Sequence, residues 1–381
     1  MTASAMVLAL ICLQAKPALP ESLSSKHYDL KTSATRELGQ ELLDFMELVH
    51  QTYTALLKPD NPQDLDKKRF TIILYKDMEE YLKAGAPPGS GAYYNPNTKE
   101  LVGWHDLTFM KPFFAHEGMH QFTDATSKNF LTFNMWFTEG IADCIGNCEV
   151  RGKKLYMCVK SGMIARMRLQ TIQAAIRSGA APPLDRLLSL PRNVFMANAE
   201  LCYAMSWSFC HFLITFPKDE DRSAQIPDGR YRKHLAGYYE LMRTGAAGHE
   251  RAWAEAFKGI PIEELEAQWK KYVMSLDAGK FMGIRAHELG DDELSKHGPI
   301  DPGYTGVLID EAVPDGVAAK GGIQAGDVIV KFDGKRFPRH DAMNRLRVWM
   351  QDVPYGRQVK VGVLRGGKEV ECPCKWETPK K

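Results

Sequence analysis

Two histidines and a glutamate lie close together in the segment Phe113–Phe122, FFAHEGMHQF, as His116, Glu117 and His120. Side chains four residues apart on a helix project from the same face, one turn above the other. Two imidazoles placed in this way can bind one ion, and a glutamate beside them can reach a water on that ion. The spacing therefore predicts a metal site on a helix. The alternative is a helix that carries two histidines and a solvated glutamate.

A carboxylate pair follows in the segment Met135–Asp143, MWFTEGIAD. A catalytic zinc is held by three protein ligands and keeps a fourth position open for water. The chain between His120 and Glu139 is long enough for a loop and a returning helix, so Glu139 is the predicted third ligand. Asp143 lies one helical turn beyond it and is predicted to accept a hydrogen bond from a ligand imidazole, which fixes the tautomer.

The two segments HEGMH and FTEGIAD resemble the gluzincin zinc metallopeptidases, a group of HExxH enzymes that includes thermolysin-like enzymes, aminopeptidase-N-like enzymes and uncharacterised bacterial relatives. The resemblance covers about residues 70–276. It implies one catalytic Zn2+ bound by His116, His120 and Glu139. It also implies that Glu117 is the general base and that the substrate is a peptide or protein.

A tyrosine in the later segment ELCYAMSW, Tyr203, is the candidate electrophile. In the aminopeptidase-like branch of the group, a tyrosine at about this distance from the third ligand donates its phenol to the oxyanion. The resemblance therefore implies a catalytic role for Tyr203. A core tyrosine with a satisfied hydroxyl is the alternative, and His211 on the same helix is a second candidate electrophile.

One departure from the aminopeptidases bears on the type of cleavage. Those enzymes carry a G-x-M-E-N strand whose glutamate binds the free amino group of the substrate. The nearest stretch here, SGAYYN at 90–95, has no glutamate, which slightly favours endopeptidase over aminopeptidase action. The same edge strand can still align a peptide by backbone pairing.

The composition of the whole chain is that of a soluble globular protein. It has 381 residues, 44% of them hydrophobic and 25% charged, a length that predicts two or three domains. The formal net charge of +2 gives no reason to expect a nucleic acid or a membrane surface as partner. The chain contains no apolar run long enough to cross a bilayer, so we expect no integral membrane span.

The first twenty residues, 1–20, contain a short apolar run and resemble a secretory leader, although no lysine or arginine precedes Ala5. This predicts an exported protein, periplasmic or extracellular, with an atypical signal. The alternatives are a start farther upstream and a buried N-terminal segment in a cytoplasmic protein. The eight cysteines are too few for a disulfide scaffold, and most are predicted to be buried small hydrophobes.

Hydrophobic periodicity predicts an α+β domain at 21–276, and the resemblance described above implies that it is the peptidase domain. The pattern indicates a helix at 35–57, a strand at 70–75 and a hairpin at 92–104, and then turns mainly helical to the end of the domain. Residues 277–301 carry several glycines and acidic groups without a strong apolar period, which predicts a linker.

The character of the chain changes beyond the linker. Strands are predicted at 306–312, 327–332 and 359–364, and a helix at 341–350. The stretch AGDVI, followed by DGK, resembles a PDZ domain of the bacterial protease-associated type over 302–377. The resemblance implies a groove between a strand and a helix, where a C-terminal peptide adds as an extra strand. The predicted peptide site comprises Gly303, Tyr304, Thr305, Gly306 and Val307, and the alternative is a small β-rich domain that acts only as a spacer.

Two functions are therefore open. The first is a zinc-dependent metallopeptidase with an appended peptide-binding module. The second is a catalytically silent peptide-binding or scaffold protein that keeps a peptidase fold. A silent site has no chemical need for a base beside its metal ligands, so Glu117 favours the enzyme.

Overall fold

A computed structural model describes residues 17–57, 68–87, 89–159, 162–217, 224–294, 296–301, 303–339 and 342–378. Residues 1–16, which hold most of the predicted leader, lie outside this part of the chain. The chain divides into two compact units, and the boundary in the sequence lies between Leu276 and Asp277. Each unit combines helices with a sheet, and the predicted α+β fold class is confirmed.

The first unit contains a five-stranded sheet in the order β1-β2-β3-β5-β4. Its strands are β1 (Glu21–Ser24), β2 (Tyr28–Thr32), β3 (Phe70–Tyr75), β4 (Ala92–Asn95) and β5 (Glu100–Trp104). The three inner strands run parallel, and both edge strands are antiparallel. Because β3 is covered on both faces, almost all of FTIILY is buried. The predicted strand and hairpin are confirmed, whereas β1 and β2 were not predicted.

Helices form most of the rest of the first unit, as predicted. They are α1 (Arg36–Leu57), α2 (Met78–Lys83), α3 (Leu107–Thr126), the 3-10 turn Phe130–Thr132, α4 (Met135–Gly146), α5 (Met163–Ser178), α6 (Leu184–Leu188), α7 (Arg192–Ala197), α8 (Ala199–Thr215), α9 (Arg232–Arg243), α10 (His249–Ala256) and α11 (Ile262–Ser275). A short hairpin of β6 (Glu149–Arg151) and β7 (Lys154–Tyr156) separates α4 from α5. All twelve residues of α4 are buried, which makes this helix the centre of the unit.

Helices α4 and α8 pack at very short range through Gly140. A Cβ added there would lie 2.4 Å from the Ser206 carbonyl oxygen and 2.7 Å from Cys210 Sγ. The Cys210 thiol donates to the Trp136 carbonyl, and the Cys144 thiol donates to the Trp207 carbonyl. These contacts align the two helices side by side and bring the middle of α8 against the middle of α4.

The second unit is built on a sheet whose main path runs β14-β13-β11-β10-β8. Its elements are β8 (Ile284–Glu288), α12 (Asp291–Leu294), β9 (Tyr304–Thr305), β10 (Val307–Ala312), α13 (Val317–Lys320), β11 (Val328–Phe332), β12 (Lys335–Pro338), α14 (Ala342–Asp352), β13 (Gln358–Arg365) and β14 (Lys368–Lys375). Its core is filled by alternate residues of β10 and β13, by Ile329 and Phe332 of β11, and by α14. The predicted strands and helix of this unit are confirmed to within two residues.

The prediction of a linker at 277–301 was wrong, because part of it is strand β8. This strand pairs antiparallel with β10, with His287 opposite Leu308. Its residues are alternately half-buried and exposed, so no run of apolar side chains marked it in the sequence. An edge strand with one half-covered face does not need such a run.

In the described residues, no helix is both long enough and apolar enough to cross a membrane.

We predict that Gly140→Ala lowers the thermal unfolding midpoint of the chain by about 5 °C, because the added methyl group meets backbone that cannot move aside. The measurement is circular dichroism of the full chain during heating. The matched control is Gly237→Ala in α9, where an added Cβ meets only Ala256 Cβ at 3.9 Å. This control should be neutral or slightly stabilising, because alanine favours a helix over glycine. Equal effects of the two substitutions would contradict the close-packing argument.

Candidate metal centre

Three side chains converge between helices α3 and α4. His116 and His120 lie one turn apart on α3, and Glu139 lies on the buried helix α4. The two histidine Nε2 atoms are 3.2 Å apart. Glu139 Oε2 lies 3.3 Å from His116 Nε2 and 3.5 Å from His120 Nε2. Among the histidine, cysteine, aspartate and glutamate side chains of the described residues, these three have ligand atoms close enough together to hold one ion.

The triangle of ligand atoms fits a zinc ion. Tetrahedral ligands at zinc bond lengths of about 2.0–2.1 Å lie roughly 3.3 Å from one another, and the three observed separations bracket that value. Glu139 is only 6% exposed. Its Oε2 has no hydrogen-bond partner among the described residues. A buried ionised oxygen without a partner is costly, and a bound cation removes that cost.

The outer nitrogen of His116 is held by a second carboxylate of α4. Asp143 Oδ1 lies 2.9 Å from His116 Nδ1. With a cation bound, the proton on Nδ1 would be donated to Asp143, and the lone pair of Nε2 would be directed at the ligand triangle. The structure therefore brings Asp143 to one of the two imidazoles.

The charges in the site support one another. Burial lowers the pKa of His116, but the hydrogen bond to Asp143 and the nearby Glu139 outweigh burial and raise this pKa well above its usual value. Burial raises the pKa of Glu139, but the charges of His120 and His116 outweigh it and hold this pKa well below its usual value. Glu139 is therefore ionised at neutral pH, and the site favours positive charge at its centre.

Glu117 stands outside the triangle and is oriented by the sheet. Its Oε2 accepts a hydrogen bond of 2.9 Å from the backbone N–H of Tyr94 on the edge strand β4. The Tyr94 hydroxyl in turn donates to Asp124. The only glutamate between the two histidines is thus fixed against the strand that borders the site.

Tyr203 lies on α8, close enough to Glu139 for the charge of that carboxylate to act on its phenol. Burial, and then the negative charge of Glu139, raise the pKa of its phenol far above the usual range. Tyr203 therefore stays protonated and able to donate at neutral pH.

His211 lies in the helical core. Its Nε2 is 3.1 Å from the Cys158 carbonyl oxygen, and its Nδ1 is 2.9 Å from the Tyr272 hydroxyl. Since both ring nitrogens contact core groups, the structure does not bring His211 to the metal triangle.

Two residues near the site had no signal in the sequence. Arg168 Nε donates to Asp143 Oδ2 at 2.9 Å, and the Phe130 ring centroid is 5.9 Å from that of His120. An arginine on an amphipathic helix and an apolar residue in a short turn are ordinary features of a sequence. Only the fold shows what they contact.

In the second unit, the prediction of a peptide site at Gly303–Val307 is wrong. Strand β10, which begins at Val307, pairs with β11 on one side and with β8 on the other. Val307 is fully buried, and Thr305 is 2% exposed. No strand edge is therefore available there for a peptide. The error follows from the missed strand β8, which occupies that edge.

On this side of the sheet, the open strand edge belongs to β8. Among the described strands, β8 pairs only with β10, and helix α14 packs beside it. Just before β8, the backbone N–H groups of Phe281, Met282 and Gly283 have no hydrogen-bond partner within the described residues. Gly283 has a φ of +75°, which turns the chain into the strand. Three unpaired backbone donors therefore lie at the start of the open edge of β8.

Residues 280–375 match the PDZ domain family, and this region is a PDZ domain. It begins at residue 280 rather than at the predicted residue 302. Its start includes β8, which completes the domain.

The sequence matches to known proteins fall on the PDZ region. The chain is 37% identical over 89 residues to the periplasmic serine endoprotease DegP of Escherichia coli, covering 23% of this chain and 18% of DegP. It is 39% identical over 66 residues to the magnetosome formation protease MamE of Magnetospirillum gryphiswaldense, covering 17% of this chain and 8% of MamE. The chain thus spans less than a fifth of the length of these relatives.

A solved structure of an aminopeptidase N family protein from Idiomarina loihiensis aligns with 94% of this chain and 67% of that one. The sequence identity is 14%, and the TM-score is 0.41.

We predict that Glu139→Gln weakens zinc binding by at least about 100-fold, since it replaces the one anionic ligand with a neutral amide. The measurement is calorimetric titration of the chelator-treated full chain with Zn2+. The control is Glu200→Gln, an exposed glutamate on α8, which should bind zinc like the wild type. Wild-type affinity in Glu139→Gln would show that Glu139 is not a ligand.

Proposed function

We propose that this protein is a zinc-dependent peptidase whose PDZ domain binds peptide or protein termini. The observation that carries the proposal is the triangle of His116 Nε2, His120 Nε2 and Glu139 Oε2, with sides of 3.2–3.5 Å. The partnerless carboxylate oxygen within that triangle supports it further.

A zinc ion held by His116, His120 and Glu139 would lower the pKa of a bound water to roughly 7 and would polarise a substrate carbonyl. The chain's own residues supply the proton transfers. Glu117, held by the Tyr94 N–H, takes a proton from the attacking water and later passes it to the leaving amine. Each peptide bond cleaved thus consumes one water, and Glu117 ends in its starting charge state.

Tyr203 is the donor for the negative charge that develops on the carbonyl oxygen. Its raised phenol pKa keeps the proton in place, and a donor aimed at a developing oxyanion stabilises the transition state more than the substrate. Tyr203 and Glu117 reach the site from different elements, α8 and α3. Tyr203 therefore provides electrostatic stabilisation, and Glu117 provides proton transfer.

The edge strand β4 is the proposed platform for the substrate. It is the last strand of its sheet and carries Tyr94, whose N–H holds Glu117. An extended peptide that pairs with this edge lies along the general base. Because the strand brings no glutamate to bind a free amino terminus, cleavage inside a chain is slightly favoured over removal of the first residue.

The PDZ domain supplies a second peptide site in this proposal, between β8 and α14. The three unpaired N–H groups at 281–283 are suited to a C-terminal carboxylate, and the β8 edge is suited to the residues before it. The periplasmic location named for DegP supports the proposal that this protein is exported too.

We predict that Glu117→Gln keeps one zinc per chain and lowers kcat for casein hydrolysis by about 100-fold or more, because the amide cannot take up the proton. Zinc is measured by elemental analysis, and hydrolysis is measured with and without a chelator. Glu200→Gln is the control and should match the wild type. Unchanged turnover in Glu117→Gln would remove it as the base. A wild-type chain that holds zinc but cleaves no peptide or protein would favour the scaffold function instead.

For the PDZ domain, we predict that the full chain binds a pool of decapeptides with free C-terminal carboxylates at least about tenfold more tightly than the same pool amidated. The reason is that an amide cannot satisfy a cluster of N–H donors as a carboxylate does. The measurement is fluorescence polarisation of labelled peptides. Absence of binding by either pool would make the domain a spacer, and equal binding would remove the carboxylate contact.

A further inference from the structure

Arg168, on helix α5, contacts two separate parts of the metal centre. Its Nε donates to Asp143 Oδ2 at 2.9 Å. Its guanidinium carbon lies 4.7 Å from the centroid of the Tyr203 ring. We propose that Arg168 is the positioning residue of the site. It fixes Asp143, which holds the ligand His116, and it fixes the ring of Tyr203, the proposed oxyanion donor. The inference rests on the proposed function and names a residue that this function does not assign.

The first contact completes the anchoring of His116. Asp143 is 3% exposed, and each of its oxygens has a different partner, His116 Nδ1 on one and Arg168 Nε on the other. A carboxylate held at both oxygens cannot rotate, so the imidazole that it holds keeps its orientation. Loss of Arg168 frees one oxygen and leaves a buried charge without its cation.

The second contact fixes the ring of Tyr203. The guanidinium lies over the ring, and the ring of Phe195 meets the same tyrosine with centroids 5.5 Å apart at 66°. A planar cation stacks on an aromatic face while its Nε–H points sideways to a carboxylate. A lysine ammonium has no plane with which to do both at once.

A buried asparagine sets the position of Arg168. Asn147 lies one turn beyond Asp143 and is 4% exposed. Its Nδ2 donates to the Asp143 carbonyl at 2.7 Å, and its Oδ1 accepts the Ala165 N–H at 2.9 Å. This bridge joins the end of α4 to the first turn of α5, and Arg168 follows one turn later. The contact between Arg168 and Asp143 is therefore built into the helix junction.

The first test measures metal affinity without any substrate. Cobalt(II) is titrated into the chelator-treated full chain, and binding is followed by the visible absorption of the bound ion. We expect Arg168→Met to weaken cobalt binding by about tenfold and to change the spectrum, because His116 loses its fixed orientation. Arg166→Met, on the same helix but without either contact, should bind cobalt as the wild type does.

The outcomes of this test separate the two proposals. Failure of the wild type to bind cobalt would overturn the zinc peptidase itself. Normal cobalt binding by both the wild type and Arg168→Met would overturn only the role of Arg168, even if the variant melts at a lower temperature. If Arg168→Met does not fold, Arg168→Lys replaces it. That variant keeps the positive charge but not the planar guanidinium, and it should bind cobalt about threefold more weakly than the wild type does.

The second test addresses Tyr203 through kinetics. We expect Arg168→Met to lower kcat by about tenfold or more while KM changes by less than about twofold, since the affected contact forms in the transition state. The double variant Arg168→Met/Tyr203→Phe should lose less kcat than the product of the two single fold-losses, because both substitutions disable the same hydrogen-bond donor, Tyr203. A combined loss equal to that product would remove Tyr203 from the role of Arg168.

Discussion

The central constraint in the first unit is an ionised carboxylate, Glu139, buried in the middle of a buried helix. Removing such a charge from water costs several kcal/mol in real proteins unless opposite charges surround it. The compensating groups come from several elements: two imidazoles of α3 face Glu139, and an arginine of α5 balances the second buried carboxylate, Asp143. A bound dication would complete that balance. The packing of these elements therefore brings together the same groups that compensate the buried charge and form the site.

One face of the buried helix α4 carries the polar residues of this network. Glu139, Asp143 and Asn147 follow one another at intervals of four residues, so they lie in a row. Glu139 is one corner of the ligand triangle, Asp143 holds the His116 imidazole, and Asn147 caps the next helix. Beside this row, Gly140 lets α8 approach until its backbone touches α4. A larger residue there would move Tyr203 away from Glu139.

Short-range patterns explain what could be predicted from the sequence. The spacing of His116, Glu117 and His120 follows from helix geometry alone, and the strand at 70–75 is visible because an inner parallel strand must be apolar. Arg168 was not predictable, since its partner Asp143 is 25 residues earlier and no local pattern links them. Strand β8 was missed for a related reason. Its identity depends on pairing with β10, and its own residues carry only a weak alternation. That one omission moved the predicted peptide groove to the wrong side of β10.

The cost of the charged network bears on whether the site is active or silent. A protein that used this fold only as a scaffold would lose nothing by replacing Glu139, Asp143 and Arg168 with packed apolar side chains. Such replacements of buried ion pairs are often neutral or stabilising by about 1–4 kcal/mol. The network instead leaves one buried oxygen, Glu139 Oε2, without a hydrogen bond and sets a glutamate against the border strand. Stability does not require either feature, whereas a metal and a base do. The physical chemistry of the buried charges therefore favours the enzyme over the scaffold.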